Sequence, residues 1–121
     1  MEFGKLNKIL DDHKTWLRTG GEKGERADLS WANLSGADLS WADLDFSTFP
    51  LWCGGLNVHI DDKQATQLLY HLVKNVQFSK NTSAKLKKAL LTKTIIKKAN
   101  EFHRVDECGE IKGPEKAKKE N

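Results

Sequence analysis

The chain has 121 residues, 38% of them hydrophobic and 31% charged, with a formal net charge of +3. That composition suits one soluble domain with a modest core, and no segment approaches the length of a membrane-spanning helix. Two cysteines, Cys53 and Cys108, are too few for a disulfide scaffold, so both are expected as free thiols in a reducing compartment.

The net charge hides an asymmetry. Residues 1–62 carry 6 Lys and Arg against 11 Asp and Glu, a balance of −5; residues 63–104 carry 10 against 1, a balance of +9; residues 105–121 carry 4 against 5. A chain split in this way either meets an anionic partner with one part or uses the opposed charges within or between copies of itself.

In chain order, Phe3, Leu6, Ile9, Leu10, His13 and Trp16 recur at helical spacing and Gly20-Gly21 interrupts them, which predicts an amphipathic helix over residues 3–18. Asp11, Asp12 and His13 stand where a secretory signal would need an unbroken apolar run, so the sequence predicts a cytoplasmic protein. The helix leads through a polar, glycine-rich turn into ADLSWANLSGADLSWADLDF, residues 27–46. There a leucine falls on every fifth position and an alanine two residues before each.

Neither regular structure has a period of five, so the chain must bend once in each pentad. If every bend turns the same way, Leu29, Leu34, Leu39 and Leu44 converge on one axis with Ala27, Ala32, Ala37 and Ala42 beside them. Asp28, Asn33, Asp38 and Asp43 are then placed to hydrogen-bond backbone at the corners. Fixed-period self-similarity marks a repeat architecture. A fifth pentad, Ser47 to Leu51, keeps the pattern with Ser47 for alanine and Phe49 for leucine.

These residues resemble the pentapeptide-repeat family, whose pattern is A-(D/N)-L-X-X. The flanks HKTWLRTGGEKGERADL and FPLWCGGL are similar to those of small phage- or prophage-encoded members with a helical C-terminal region. The resemblance implies an α+β fold in which about one coil of a short right-handed quadrilateral β-helix is capped by an N-terminal helix and a C-terminal helical region. It divides one compact domain into a capping helix and turn (1–26), the repeat coil and an exit strand (27–60), a basic helical region (61–112) and a disordered tail (113–121). Since solenoids usually need about three or more stacked repeats to bury a core, so short a coil calls for helical lids or a second copy, and a homodimer is expected.

Beyond the repeats, Pro50 and Gly54-Gly55 mark a change of direction before the alternating stretch Leu56–Ile60. Asp61 or Asp62 caps a helix running to about Val76, with Ala65, Leu68, Leu69, Leu72 and Val76 expected on its buried face. From Ser83 to His103 the apolar phase breaks, Leu86, Ala89 and Leu90 lying on one side and Ile95, Ala99 and Phe102 roughly opposite. Two helices separated near Thr92-Lys93-Thr94 are therefore predicted.

Trp31, Trp41 and Phe46 share the outward position of their pentads, with Gly36 between the tryptophans. They are either covered by the flanking helices or act as anchors for a protein partner. Lys85, Lys88, Lys93, Lys97 and Arg104 lie away from the apolar faces of the late helices and are candidates for nucleic-acid contacts, or simply a solvated face.

Cys53, His59, His71, His103 and Cys108 include C-x5-H and H-x4-C spacings but no CxxC pair. The sequence accordingly predicts no metal, no cofactor and no catalytic residues. The expected function is that of a non-enzymatic interaction protein in the bacterial cytoplasm. It would bind and inhibit or modulate a host macromolecule, with an anti-defence, anti-CRISPR-like inhibitor as its specific form. Alternatives are a nucleic-acid-binding accessory factor that uses the basic helices and a topoisomerase-interacting pentapeptide-repeat protein. The net positive charge and single coil argue against mimicry of DNA.

Overall fold

The computed structural model describes residues 2–113. The chain folds as two compact units, Met1–Asp61 and Asp62–Asn121, and the boundary falls where the basic helical region is predicted to begin. The predicted tail lies outside the described residues apart from Gly113.

In the first unit, α1 (Phe3–Arg18) buries Leu6, Leu10 and His13, three residues on one side of the helix. Its end follows from two glycines. Gly20 adopts φ +65°, its N–H donates to Leu17 O (3.3 Å), and the N–H of Gly21 donates to Trp16 O (2.8 Å). This is the Schellman arrangement, which satisfies the last carbonyls of a helix and favours glycine at the left-handed position.

Leu6 and Leu10 pack into the same core as Ala27, Leu29, Ala32, Leu34, Ala37, Leu39 and Ala42, with Ile9, Leu44, Phe49 and Val58 partly buried around it. Leu29, Leu34 and Leu39 are sealed from solvent, whereas Leu44 is only half-buried. Burying a leucine contributes about 1.5–3 kcal/mol, so α1 and the three central leucines supply much of what holds this unit together.

The expected α+β class, with a short right-handed quadrilateral β-helix, does not form. Helices account for the regular structure, and among the described residues β pairing is limited to two isolated parallel bridges, Asp28 with Thr48 and Asp38 with His59, with no sheet. The physical reason lies in the pentad and in the short run. Each pentad closes a turn from leucine to the next alanine or serine: Ala32 N to Leu29 O, Ala37 N to Leu34 O, Ala42 N to Leu39 O and Ser47 N to Leu44 O, at 2.8–3.1 Å. Little extended backbone is left between turns, and only the segment 48–59 is available to pair with what precedes it.

That segment does return alongside the repeats. The N–H of Leu34 donates to Gly54 O (2.7 Å), that of Gly36 to Asn57 O (2.8 Å), and Leu39 and His59 are joined through Leu39 N to His59 O (2.8 Å) and His59 N to Ala37 O (2.9 Å). A short 3-10 turn, Cys53–Gly55, shapes the return.

The second unit is built on α2 (Asp62–Phe78), followed by α3 (Ala84–Leu90), α4 (Lys93–Ala99) and α5 (Val105–Cys108). Ser83 and Thr92 cap α3 and α4 by accepting the N–H of Leu86 (3.1 Å) and Ile95 (3.2 Å), so the break in apolar phase coincides with the Thr92 cap. Tyr70, Val73, Ile96, Ala99, Phe102 and Ile111 form its core, with Tyr70 and Phe102 in ring contact at 4.6 Å.

The buried face of α2 differs from the expected one. Gln64, Tyr70, Val73 and Val76 are buried, while Ala65, Leu68 and Leu72 are exposed. Apolar residues cover more than half the circumference of this helix, and the partner chooses among them. The Tyr70 face meets Phe102 and lets the hydroxyl donate to Gly109 O. The last described residues are held by an amide clasp, in which Asn100 Nδ2 donates to Ile111 O (2.9 Å) and Ile111 N–H donates to Asn100 Oδ1 (2.8 Å).

Candidate functional site

The turns of the repeats aim one side chain per pentad outward. Trp31, Gly36, Trp41 and Phe46 each occupy the third position of a turn closed by the hydrogen bonds above. Trp31 is 89% exposed, Trp41 53% and Phe46 59%; Leu51, at the same place in the fifth pentad, is 94% exposed. Leu51 was not singled out among the expected partner-binding residues, although the five-residue period marks it as clearly as the tryptophans. The row is held in place by the corners: Asp28, Asn33, Asp38 and Asp43 each accept, through Oδ1, the N–H two residues on, at 2.9–3.2 Å. These bonds fix the backbone on which the outward residues stand.

Two of the corner carboxylates are tuned by the same geometry. Hydrogen bonds from the Ser30 and Thr48 hydroxyls, aided by the Ser30 N–H, hold Asp28 down to about 2. Bonds from the Ser40 hydroxyl and N–H lower Asp38 in the same direction. Both groups therefore remain anionic acceptors through ordinary pH.

The outward row is not uniform. Gly36 and Phe46 adopt positive φ, +80° and +64°, whereas Trp31 and Trp41 do not. A non-glycine residue in the left-handed region costs roughly 1–2 kcal/mol. Phe46 sets against that cost a tilted contact with Trp16 at 6.2 Å between centroids, and Trp16 is in turn stacked on His13 at 6.0 Å with Arg26 over its ring at 5.8 Å. Phe46 thus serves partly as internal packing, while the tryptophans are left to solvent.

Each tryptophan borders a groove beside α1. Trp41 lines one of about 390 Å³ together with Leu10, Leu17 and Ala42 and with the charged Lys14, Arg18 and Asp43. Trp31 lines a second, of about 510 Å³, with Glu2, Lys5, Ala32 and Asn33. The aromatic of the return segment is placed differently: the indole N–H of Trp52 donates to Ala32 O (3.1 Å), and its role is to fasten the segment to the repeats.

Of the other predicted residues, Lys85, Lys88, Lys93 and Lys97 are exposed on α3 and α4. Arg104 is half-buried and forms a bidentate pair with Glu107 at 2.7–2.9 Å. Cys53 and Cys108 are exposed free thiols. His71 is bonded through Nδ1 to Gln67 O on its own helix, and His59 takes part in the backbone pairing described above. No helix among the described residues is long and apolar enough to cross a membrane.

Chemically, then, the first unit presents exposed indoles beside two grooves, a mainly apolar one at Trp41 and a more polar one at Trp31, an arrangement suited to binding a surface. No curated protein and no solved structure matches the chain. The family model of Pentapeptide repeats (8 copies) matches over residues 25–49, the stretch whose alanines and leucines fill the core and whose aspartates hold the corners. Residues 25–49 are thus similar to pentapeptide repeats.

Proposed function

We propose that this protein is a binding module that catalyses no reaction and engages a protein partner through Trp31, Trp41 and the neighbouring outward residues of the repeats. The observation that carries this reading is the exposure of two tryptophans on turns whose leucines are wholly buried. Large aromatics held out on a firm backbone lose little conformational entropy on association, and tryptophan dominates binding hot spots. The pentapeptide-repeat segment supports the same role, since repeats of this family suggest protein interaction. The finer form of the proposal is that the partner is a bacterial macromolecule, such as a defence nuclease, and that binding inhibits it.

The test is comparative capture. Wild-type protein and a Trp31→Ala/Trp41→Ala variant are immobilised in equal amounts and exposed to the same bacterial lysate, after far-UV circular dichroism has established that both are folded. A protein retained by the wild type and lost by the variant is the expected outcome, and inhibition of that protein is then assayed directly. Equal retention by both would refute the assignment of the tryptophans.

A further inference from the structure

The second unit carries a different surface. Residues 62–121 hold 14 Lys and Arg against 7 Asp and Glu, a balance of +7, whereas residues 1–61 hold 6 against 10, a balance of −4. Within the span from Lys63 to Arg104 the one carboxylate is Glu101, and it lies 3.5 Å from Lys98. Arg104 is engaged by Glu107. Lys85, Lys88, Lys93 and Lys97 are exposed on α3 and α4.

Burial fixes which way those helices face. On α4, Ile96 and Ala99 are buried and Ile95 is half-buried; at about 100° per residue Lys97 falls away from that face, and Lys93, one turn earlier, lies at its side. On α3, Leu90 is half-buried and Lys87 leans toward α2, with its Nζ 3.5 Å from Gln77 O. Lys85 and Lys88 therefore take the outer arc, about 4.5 Å apart along the axis, and both are exposed.

We propose that the outer arcs of α3 and α4, through Lys85, Lys88, Lys93 and Lys97, bind the phosphate backbone of a nucleic acid without reading its sequence. Charge complementarity selects this partner: several ammonium groups follow one another along two consecutive helices in a span with a single carboxylate. Compact point charges on flexible stems contact phosphates, and the arcs contain no arginine placed to read base edges. An anionic membrane is the less suited polyanion. The outer arc of α3 is Lys85, Lys88 and Ala89 rather than the apolar stripe that an interfacial helix buries. This proposal is independent of the tryptophan reading, which concerns the other unit.

The experiment is fluorescence anisotropy of the full-length protein with a mixed-sequence DNA duplex, over about 50–200 mM salt, where counterion release has its effect. Binding is expected at the low end. Its logarithmic salt slope should be about −3.6 if four phosphates are contacted, at about −0.9 each. A Lys85→Gln/Lys88→Gln/Lys97→Gln variant, checked for fold by circular dichroism, should weaken binding to every sequence and flatten the slope by about 2.7. Binding should be unaltered in Trp31→Ala/Trp41→Ala. No binding at the lowest salt, a slope unchanged by the three substitutions, or binding to phosphatidylserine vesicles with none to DNA would each overturn the proposal.

Discussion

His13 is the residue on which the first unit is most sensitively joined. It is 1% exposed. Its Nδ1 accepts the N–H of Ala27 at 3.0 Å, and its Nε2 donates to Asp45 O at 2.8 Å. Because Nδ1 must accept, the ring is the neutral tautomer with its proton on Nε2, and one side chain of α1 thereby ties both the first and the fourth pentad to the helix. Replacing it by alanine removes both bonds to buried backbone groups. At about 0.5–1.5 kcal/mol net for each hydrogen bond, His13→Ala should lose at least about 1–3 kcal/mol, a sizeable part of the 5–15 kcal/mol typical of a whole domain. All four tryptophans, at 16, 31, 41 and 52, lie in this unit, so the urea dependence of tryptophan fluorescence reports its unfolding separately from that of the second unit. A variant whose midpoint falls with an unchanged slope would be the expected result. A loss below about 0.5 kcal/mol, the range of ordinary surface substitutions, would refute the view of His13 as a buried link.

Two glycines provide a controlled comparison. Gly24 and Gly36 both adopt positive φ, but a Cβ on Gly24 would come within 2.3 Å of Asp12 O and 2.8 Å of Trp16 N, whereas one on Gly36 meets nothing within 4 Å. Gly36→Ala should cost roughly the 1–2 kcal/mol of a left-handed alanine, and Gly24→Ala distinctly more, as read by the same fluorescence titration. Acid provides a third measure. Asp28 and Asp38 have folded values below the unfolded 3.8, Asp28 at about 2, so their stabilising contribution is complete above that value and is lost as pH falls from about 4 toward 2. Thr48→Val removes one of the bonds to Asp28 and should raise its titration midpoint in a carbon-detected NMR titration; an unmoved midpoint would exclude that bond.

Much of the repeat segment was legible because its signals are local. A pentad that alternates alanine and leucine two residues apart leaves one arrangement that buries both, and Leu29, Leu34 and Leu39 are sealed accordingly. Asx bonds close within three residues, so Asp28, Asn33, Asp38 and Asp43 could be assigned to corners before any fold was known. Gly20-Gly21 and Thr92 likewise act within one turn of a helix. Leu44 shows the limit of the pattern: it occupies the same position as the sealed leucines yet is half-buried, because burial depends on what covers the coil at that point.

The face of α2, the role of His13 and the fold class lay beyond the sequence for a shared reason. Leu68 and Leu72 are as apolar as any residue of α2, and what left them outside was the presence of Phe102 and Gly109 O opposite Tyr70. A histidine on an apolar helix face is compatible with many partners, and the backbone groups of Ala27 and Asp45 reach His13 only once the repeats have wound beneath α1. The resemblance to pentapeptide repeats implied a β-helix, but extended pairing needs successive layers, and here the return segment offers two isolated bridges. The sequence by itself determined where the repeats turn, which pentad positions point inward, where α1 starts and stops and where α3 and α4 begin, because those outcomes are settled by sterics and hydrogen bonds between residues a few positions apart. Tertiary structure alone decided which apolar faces are covered and that Trp31 and Trp41 stand in solvent, because burial is a property of the partner surface, and its distance along the chain is unrelated to its distance in space.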